Sequence, residues 1–313
     1  MSRPLALVSA ARGVGDIVRV TPLVGVCVAL GYDVDLLLAP DYADSVSLVE
    51  NGPGVRRVFV LPSPWGRGSR AARAEGLDRE TYDVATFTTW TALYRSRVRA
   101  RRAIAFGRER WLRDGDAACV ADVARALGWD AHAPLPPPFV VTSGRRFGLP
   151  NDTVALHPGC KPDWPWKKWH GFDALASRLP NVALVGTPGD VENAGTYFAR
   201  AFVWPAHARD FIGTLSLADT AALIAECAAL VSNDSGLMHV GAALGVPTYG
   251  VFGITSPARE TLPVPNMHAV TKGLPCESAC RRAPWGRRDC HLHLQCLRTL
   301  DADDVLARMA PHG

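Results

Sequence analysis

The chain has 313 residues, 48% of them hydrophobic and 20% charged, with a formal charge of +4. That balance excludes a disordered chain and leaves room for two domains of ordinary size. No segment reaches the roughly 18 uninterrupted apolar residues of a membrane-spanning helix, and the apolar core of the opening MSRPLALVSAARGVGD is too short for a secretory signal, so a cytoplasmic protein is expected.

From the amino terminus, apolar strand-like runs alternate with helix-like ones: Leu5 to Val8, then Ile17 to Leu30, Val34 to Leu38, Tyr42 to Glu50, Val58 to Leu61 and Val84 to Phe87. This is the βαβ rhythm of a parallel sheet. The first turn is Gly13-Val14-Gly15-Asp16. A dinucleotide fingerprint needs another glycine where Val18 stands, so no nicotinamide site is expected. Asp16 either interacts with a helix dipole or stands at the carboxyl end of a first strand, where open α/β sheets bind ligands.

Between Arg56 and Arg113 there are fourteen arginines against five acidic residues. The stretch is a solvated face or a docking surface for an anionic partner such as a phosphorylated lipid or sugar. Its aromatics, Tyr82, Trp90 and Tyr94, belong to no recognised nucleic-acid module, and nucleic acid is not an expected partner. The stiff segment Pro134-Leu135-Pro136-Pro137-Pro138 reads as a linker, dividing the chain into domains 1–138 and 139–313.

After it the rhythm restarts: Val154 to Leu156, a helix from Trp169 to Leu179, Val182 to Val185, a helix from Val191 to Ala201, a helix from Ser216 to Cys227, Leu230 to Ser232, a helix from Gly236 to Leu244, and Thr248 to Phe252. A last helix, Asp303 to Ala310, could cross back to the first domain. The expected fold class is α/β, two facing Rossmann-like domains with parallel sheets and a ligand cleft lined by the carboxyl ends of strands from both.

The most informative stretch is Asn233-Asp234-Ser235-Gly236-Leu237-Met238-His239. It sets capping and anion-binding groups where a strand gives way to a helix: Ser235 or Asp234 can cap, and Gly236 lets a ligand approach amides that lack an intrahelical partner. It reads as a phosphate seat or as an ordinary capped helix. His239 lies one turn after Ser235 on the same face, a ligand contact or a core imidazole. Of thirty-four basic residues only four are lysine, and three of these are Lys161, Lys167 and Lys168. A compact ammonium suits a pyrophosphate oxygen in a crowded pocket. The loop His157 to Trp169 interleaves them with Trp164, Trp166 and Trp169, which stack on a ligand ring or plug the core. Thr187, beyond the next apolar run, is placed with the substrate contacts.

Cys27, Cys119, Cys160 and Cys227 lie in apolar or mixed segments and read as core packing. Cys276, Cys280, Cys290 and Cys296 fall within twenty-one residues of a charged segment too poor in apolar residues to pack itself. In a reducing compartment four thiolates suggest a closed, structural metal site, zinc first and iron second. His291 or His293 could replace a thiol.

The block NDSGLMHVGAALGVPTYGVFG with its following Ser256-Pro257, the amino-terminal GVGDIVRVTPL, the HPG at His157 and the KKW at Lys167 together resemble glycosyltransferase family 9, the lipopolysaccharide heptosyltransferases, most of all the heptosyltransferase II type. The resemblance runs from Gly13 to about Leu297. It implies a GT-B fold and inversion at the anomeric carbon without a catalytic cofactor. Asp16 would be the general base and Lys167 the cation facing the diphosphate, with Gly13, Gly15, Lys168, Trp169, Thr187, Asp234, Ser235, Gly236 and His239 around the substrates. The implied donor is a nucleotide sugar, ADP-heptose first. The implied acceptor is an anionic glycolipid of the lipopolysaccharide core, with peripheral contact at the inner face of the inner membrane. A protein or secondary-metabolite acceptor is the alternative, since the four-cysteine segment resembles metal-containing members that glycosylate proteins. A catalytically silent nucleotide-sugar-binding module is the reading from a different class. Ala218, followed by Asp219, stands where relatives carry a ribose-binding Glu, which leaves the nucleoside open.

Overall fold

A computed structural model describes residues 3–10, 13–38, 40–60, 76–89, 91–162, 164–192, 201–276, 290 and 294–310. The chain divides into two compact units, residues 1–141 and 142–313.

The first unit contains β1 (Leu5–Ala10), α1 (Val14–Ala29), β2 (Asp33–Leu38), β3 (Val55–Val60), β4 (Tyr82–Phe87), β5 (Ala100–Ala105) and α2 (Arg108–Leu127). Its strands form one parallel sheet in the order β3-β2-β1-β4-β5. β1 and β2 are buried almost end to end and are mostly apolar, as strands covered on both faces are, with Ser9 and Asp35 as buried polar exceptions. The strand order reverses at β1, the topological switch point where such sheets bind ligands, and α1 opens there. The expected helix Tyr42 to Glu50 is instead a 3₁₀ segment, Pro40–Leu48. Two further elements, β5 and α2, escape the apolar pattern: β5 is the partly exposed edge strand ARRAIA, and α2 is broken by Gly115 in the left-handed region at φ 78°.

The proline-rich segment and the residues after it pack on the first unit. A Cβ on Gly25 of α1 would lie 2.6 Å from Pro136 Cβ. Beyond the prolines, the Phe139 amide donates to Thr21 Oγ1 at 3.0 Å and the Val141 amide to the Leu48 carbonyl at 2.7 Å. These contacts carry the first unit past residue 138. Part of the basic stretch is paired: Arg56 and Arg57 with Asp35 and Glu80, Arg101 with Asp83, and Arg110 with Asp114 and Asp122.

The second unit contains β6 (Val154–His157), α3 (Phe172–Ala176), β7 (Val182–Leu184), α4 (Pro188–Val191), β8 (Ala208–Asp210), α5 (Leu217–Ala225), β9 (Ala229–Asn233), α6 (Gly236–Ala243), β10 (Thr248–Val251), α7 (Pro257–Glu260), β11 (Met267–Val270), α8 (Gln295–Thr299) and α9 (Ala302–Met309). The sheet is parallel throughout, ordered β11-β10-β9-β6-β7-β8, with its switch point between β6 and β9. The helix expected from Trp169 is confined to α3, and most of the helix expected after Val191 lies outside the described residues. The last helix, α9, packs on α3, β10 and β11 of its own unit, because Val305 is fully buried in that core and Leu306 and Met309 lean on it. Among the described residues no helix is long and apolar enough to cross a membrane.

Candidate active site

The parallel register sets His157, the last residue of β6, directly beside Ser232 of β9, so both strand ends deliver polar side chains to the switch point. Asn233, fully buried, ties two loops there: its Nδ2 donates to the Pro158 carbonyl at 2.7 Å and its Oδ1 accepts the Trp169 amide at 3.0 Å. The chain then turns through Asp234 and Ser235 into α6, with Ser235 in extended conformation as the N-cap. The first amides of α6 have no partner within their own helix, as at any helix start.

Lys167 reaches this turn from the tryptophan loop. Its Nζ lies 2.7 Å from Asp234 Oδ2 and 3.3 Å from the Asp234 carbonyl, while Thr255 Oγ1 donates to the same carboxylate oxygen at 2.7 Å. Burial alone would raise the Asp234 carboxyl, but the Lys167 charge and hydrogen bond, Thr255 and the nearby His239 overcome it and hold Asp234 below the usual carboxylate range. The same pairing outweighs the cost of burying the Lys167 ammonium and raises its titration. Lysine and aspartate thus form a nearly neutral, buried pair beside the helix start.

Other expected contacts go elsewhere. Lys168 turns to the end of α4, where its Nζ donates to the Glu192 carbonyl at 2.7 Å and the Gly189 carbonyl at 3.3 Å. Trp169 is a core side chain, 1% exposed, donating from Nε1 to the Leu300 carbonyl at 2.9 Å and packing edge-on against Phe172. Trp164 and Trp166 stay half-buried, 5.6 Å apart, with Lys167 Nζ 5.6 Å from the Trp164 ring. Thr187 precedes α4 and donates from its amide and hydroxyl to Asp190 at 2.7 and 2.9 Å. His239 is buried on α6. Asp219, next to Ala218, accepts from Ser143 at 2.7 Å at the start of α5.

In the first unit, Gly13 is the N-cap of α1 and Gly15 and Asp16 lie in its first turn. Arg19 Nη2 lies 2.5 Å from Asp16 Oδ1 and 3.0 Å from Asp116 Oδ2, and Asp116 also accepts from Trp111 Nε1 at 2.9 Å. Arg19 therefore bridges α1 to α2 and fixes one oxygen of Asp16.

Cys27, Cys119, Cys160 and Cys227 are buried, and burial pushes their thiols up, to about 12, 12, 11 and 12 respectively, as inert core groups require. Cys276 and Cys290 are half-buried and Cys296 is in the second core. The Leu294 amide donates to Cys290 Sγ at 3.4 Å. Cys280, His291 and His293 lie outside the described residues, and among the described ones no three metal-ligating side chains come together.

Residue reading alone missed His157, Asp190 and Thr255 at the second-unit site, and Arg19 and Asp116 at the first. Only Asp190 carried a local signal, standing three residues after Thr187 in a capping-box pattern.

Residues 143–284 match the family described as glycosyltransferase family 9 (heptosyltransferase). Lipopolysaccharide heptosyltransferase 2 of Salmonella typhimurium is 36% identical over 137 residues, 38% of this chain and 39% of that protein; the alignment spans well under half of the curated relative. The structure of E. coli ADP-heptose lipopolysaccharide heptosyltransferase II superimposes with a TM-score of 0.69 at 21% identity, covering 97% of each chain. The iron-containing dodecameric glycosyltransferase TibC of enterotoxigenic E. coli H10407 gives a TM-score of 0.62 at 14% identity, covering 98% of this chain and 75% of that one. Residues 143–284, which hold the Lys167, Asp234 and Ser235 cluster, thus match glycosyltransferase family 9, and the chain has the GT-B fold seen in the heptosyltransferase structures.

Proposed function

We propose that this protein is an inverting glycosyltransferase that moves heptose from ADP-heptose to an acceptor hydroxyl of the lipopolysaccharide inner core. The observation that carries this reading is the convergence of Lys167, Asp234, Ser235 and the start of α6 at a sheet switch point inside the family-matched segment. In this reading the nucleoside diphosphate rests on the first amides of α6, beside Ser235, Gly236 and His239. As its bond to the anomeric carbon breaks, the electron pair leaves with the diphosphate, and fixed donors there meet the new charge. Because Lys167 is already balanced by Asp234, the helix amides carry a larger share of that task than a lone lysine would leave them.

Asp16 takes the proton of the acceptor hydroxyl while that oxygen bonds to the anomeric carbon from the opposite side. Its place at the first sheet's switch point and its anchoring by Arg19 support this role, since a weak base works through placement. No catalytic cofactor is called for. The acceptor, an anionic glycolipid, brings the protein to the inner face of the inner membrane from the cytoplasm. The carboxy-terminal cysteines, Cys276, Cys280, Cys290 and Cys296, hold a structural zinc or iron ion; their spacing and the iron named for TibC support this.

The test is transfer of labelled heptose from ADP-heptose to a lipopolysaccharide-core acceptor. Asp16→Asn is expected to slow it by roughly 10²- to 10⁴-fold while ADP binding is retained. Undiminished turnover removes Asp16 from the role, and label appearing on protein instead of lipid reassigns the acceptor.

A further inference from the structure

Behind Ser235 lies a buried, hydrogen-bonded run of side chains. His157 Nδ1 is 3.0 Å from Ser235 Oγ and 3.0 Å from Ser232 Oγ, and the two hydroxyls are 2.9 Å apart. On the far side of the ring, Nε2 faces Asp190 Oδ2 at 3.5 Å. His157 is 5% exposed and Ser232 fully buried. Room for the pair is made by two glycines: a Cβ on Gly159 would overlap the Asp190 carboxylate, and one on Gly186 would lie 2.8 Å from Asp190 Oδ2 and 3.1 Å from His157 Cδ2.

The protons can be counted. Ser232 spends its only hydroxyl proton on the Asn233 carbonyl, 2.8 Å away, so it faces the ring as an acceptor. A bare lone pair on Nε2 would oppose an anion, so Nε2 carries hydrogen. Burial by itself raises Asp190, yet hydrogen bonding and charge from His157, with the Thr187 amide and hydroxyl, hold it down to about 2. The Nδ1 edge of the ring thus holds Ser232 Oγ and Ser235 Oγ together at the start of α6.

We propose that His157 is a positioning residue for Ser235: backed by Asp190, its Nδ1 hydrogen-bonds Ser235 Oγ and holds that hydroxyl in place to meet a diphosphate at the start of α6. This rests on the diphosphate seat described under the proposed function.

The test is a double-mutant cycle read by calorimetry with ADP, and with inorganic pyrophosphate as a nucleoside-free probe. His157→Ala and Ser235→Ala each weaken ADP binding about tenfold, the size of one hydrogen bond to a charged group, and the double variant is no weaker than either. In transfer assays His157→Ala lowers kcat and leaves the acceptor KM unchanged. Losses that multiply in the double variant, or wild-type affinity in His157→Ala, overturn the assignment to His157 and leave the seat intact. If the wild-type protein binds neither ADP nor pyrophosphate, the seat itself is wrong and both readings fall. Should His157→Ala not fold, Asp190→Asn replaces it in the cycle, with the same non-multiplying loss expected and a multiplying or absent loss overturning the assignment.

Discussion

Replacing Lys167 by methionine keeps the apolar stem and removes the ammonium beside Asp234, whose side chain is 6% exposed against 17% for Lys167. Stripping one partner from a buried ion pair costs about 3–5 kcal/mol. The residual exposure of Lys167 and the Thr255 hydroxyl, which still donates to Asp234, place this case at the lower end, about 3 kcal/mol. At roughly 2–4 °C per kcal/mol for a domain of this size, the second unit should melt about 6–12 °C lower at neutral pH. The pH dependence discriminates further. In the wild type Asp234 is held below the usual range, so its contribution is present above the unfolded carboxylate value of about 3.9 and is lost as pH falls through the lower folded value. In Lys167→Met, burial acts on Asp234 without its cation and raises it, so acidification protonates the carboxylate and removes the penalty. Thermal melts from about pH 7.5 to about pH 4.5 should therefore show a gap between variant and wild type that narrows toward acid. A gap of constant size, or a variant as stable as the wild type, would refute the assignment of a buried, mutually dependent pair. The double variant Lys167→Met/Asp234→Asn should recover most of the loss.

Asp35 is fully buried, accepts from Arg56 Nε at 2.8 Å and Tyr82 Oη at 2.8 Å, and pushes the Tyr82 hydroxyl upward in concert with burial. Asp35→Asn should cost the first unit about 2–4 kcal/mol in denaturant unfolding, since hydrogen bonds to charged groups are the stronger kind; an unchanged midpoint would contradict this. Gly241 on α6 has no room for a methyl, which would lie 2.6 Å from Leu230 Cδ2 and 2.7 Å from Thr248 Oγ1. Helix propensity favours Gly241→Ala by about 1 kcal/mol, but overpacking costs about 1–3 kcal/mol, so melting should fall, and a rise would show that the helix shifts freely. Elemental analysis of protein purified without added metal should find zinc or iron bound through the carboxy-terminal thiols, and chelation should destabilise that segment; protein lacking metal with all four thiols titrating would end that proposal.

Much of the architecture is local and therefore readable along the chain. Strands covered on both faces, such as Leu5–Ala10 and Ala229–Asn233, are mostly apolar runs that turn polar only near their carboxyl ends. Edge strands escaped because half of their side chains face water: Ala100–Ala105 reads as a basic stretch, and Ala208–Asp210 and Met267–Val270 are too short to stand out.

By itself the sequence determined the alternating fold class, the polar strand-to-helix turn at Asn233 to Gly236, and the choice of lysine at 167 and 168. Only the tertiary structure decided that Lys167 faces Asp234 while Lys168 caps a different segment, that Trp169 is core, and that His157 meets Ser232 across 75 residues. Adjacent side chains leave the backbone in different directions, and their partners are set by the register of β6 on β9, a contact between distant segments that no local pattern encodes.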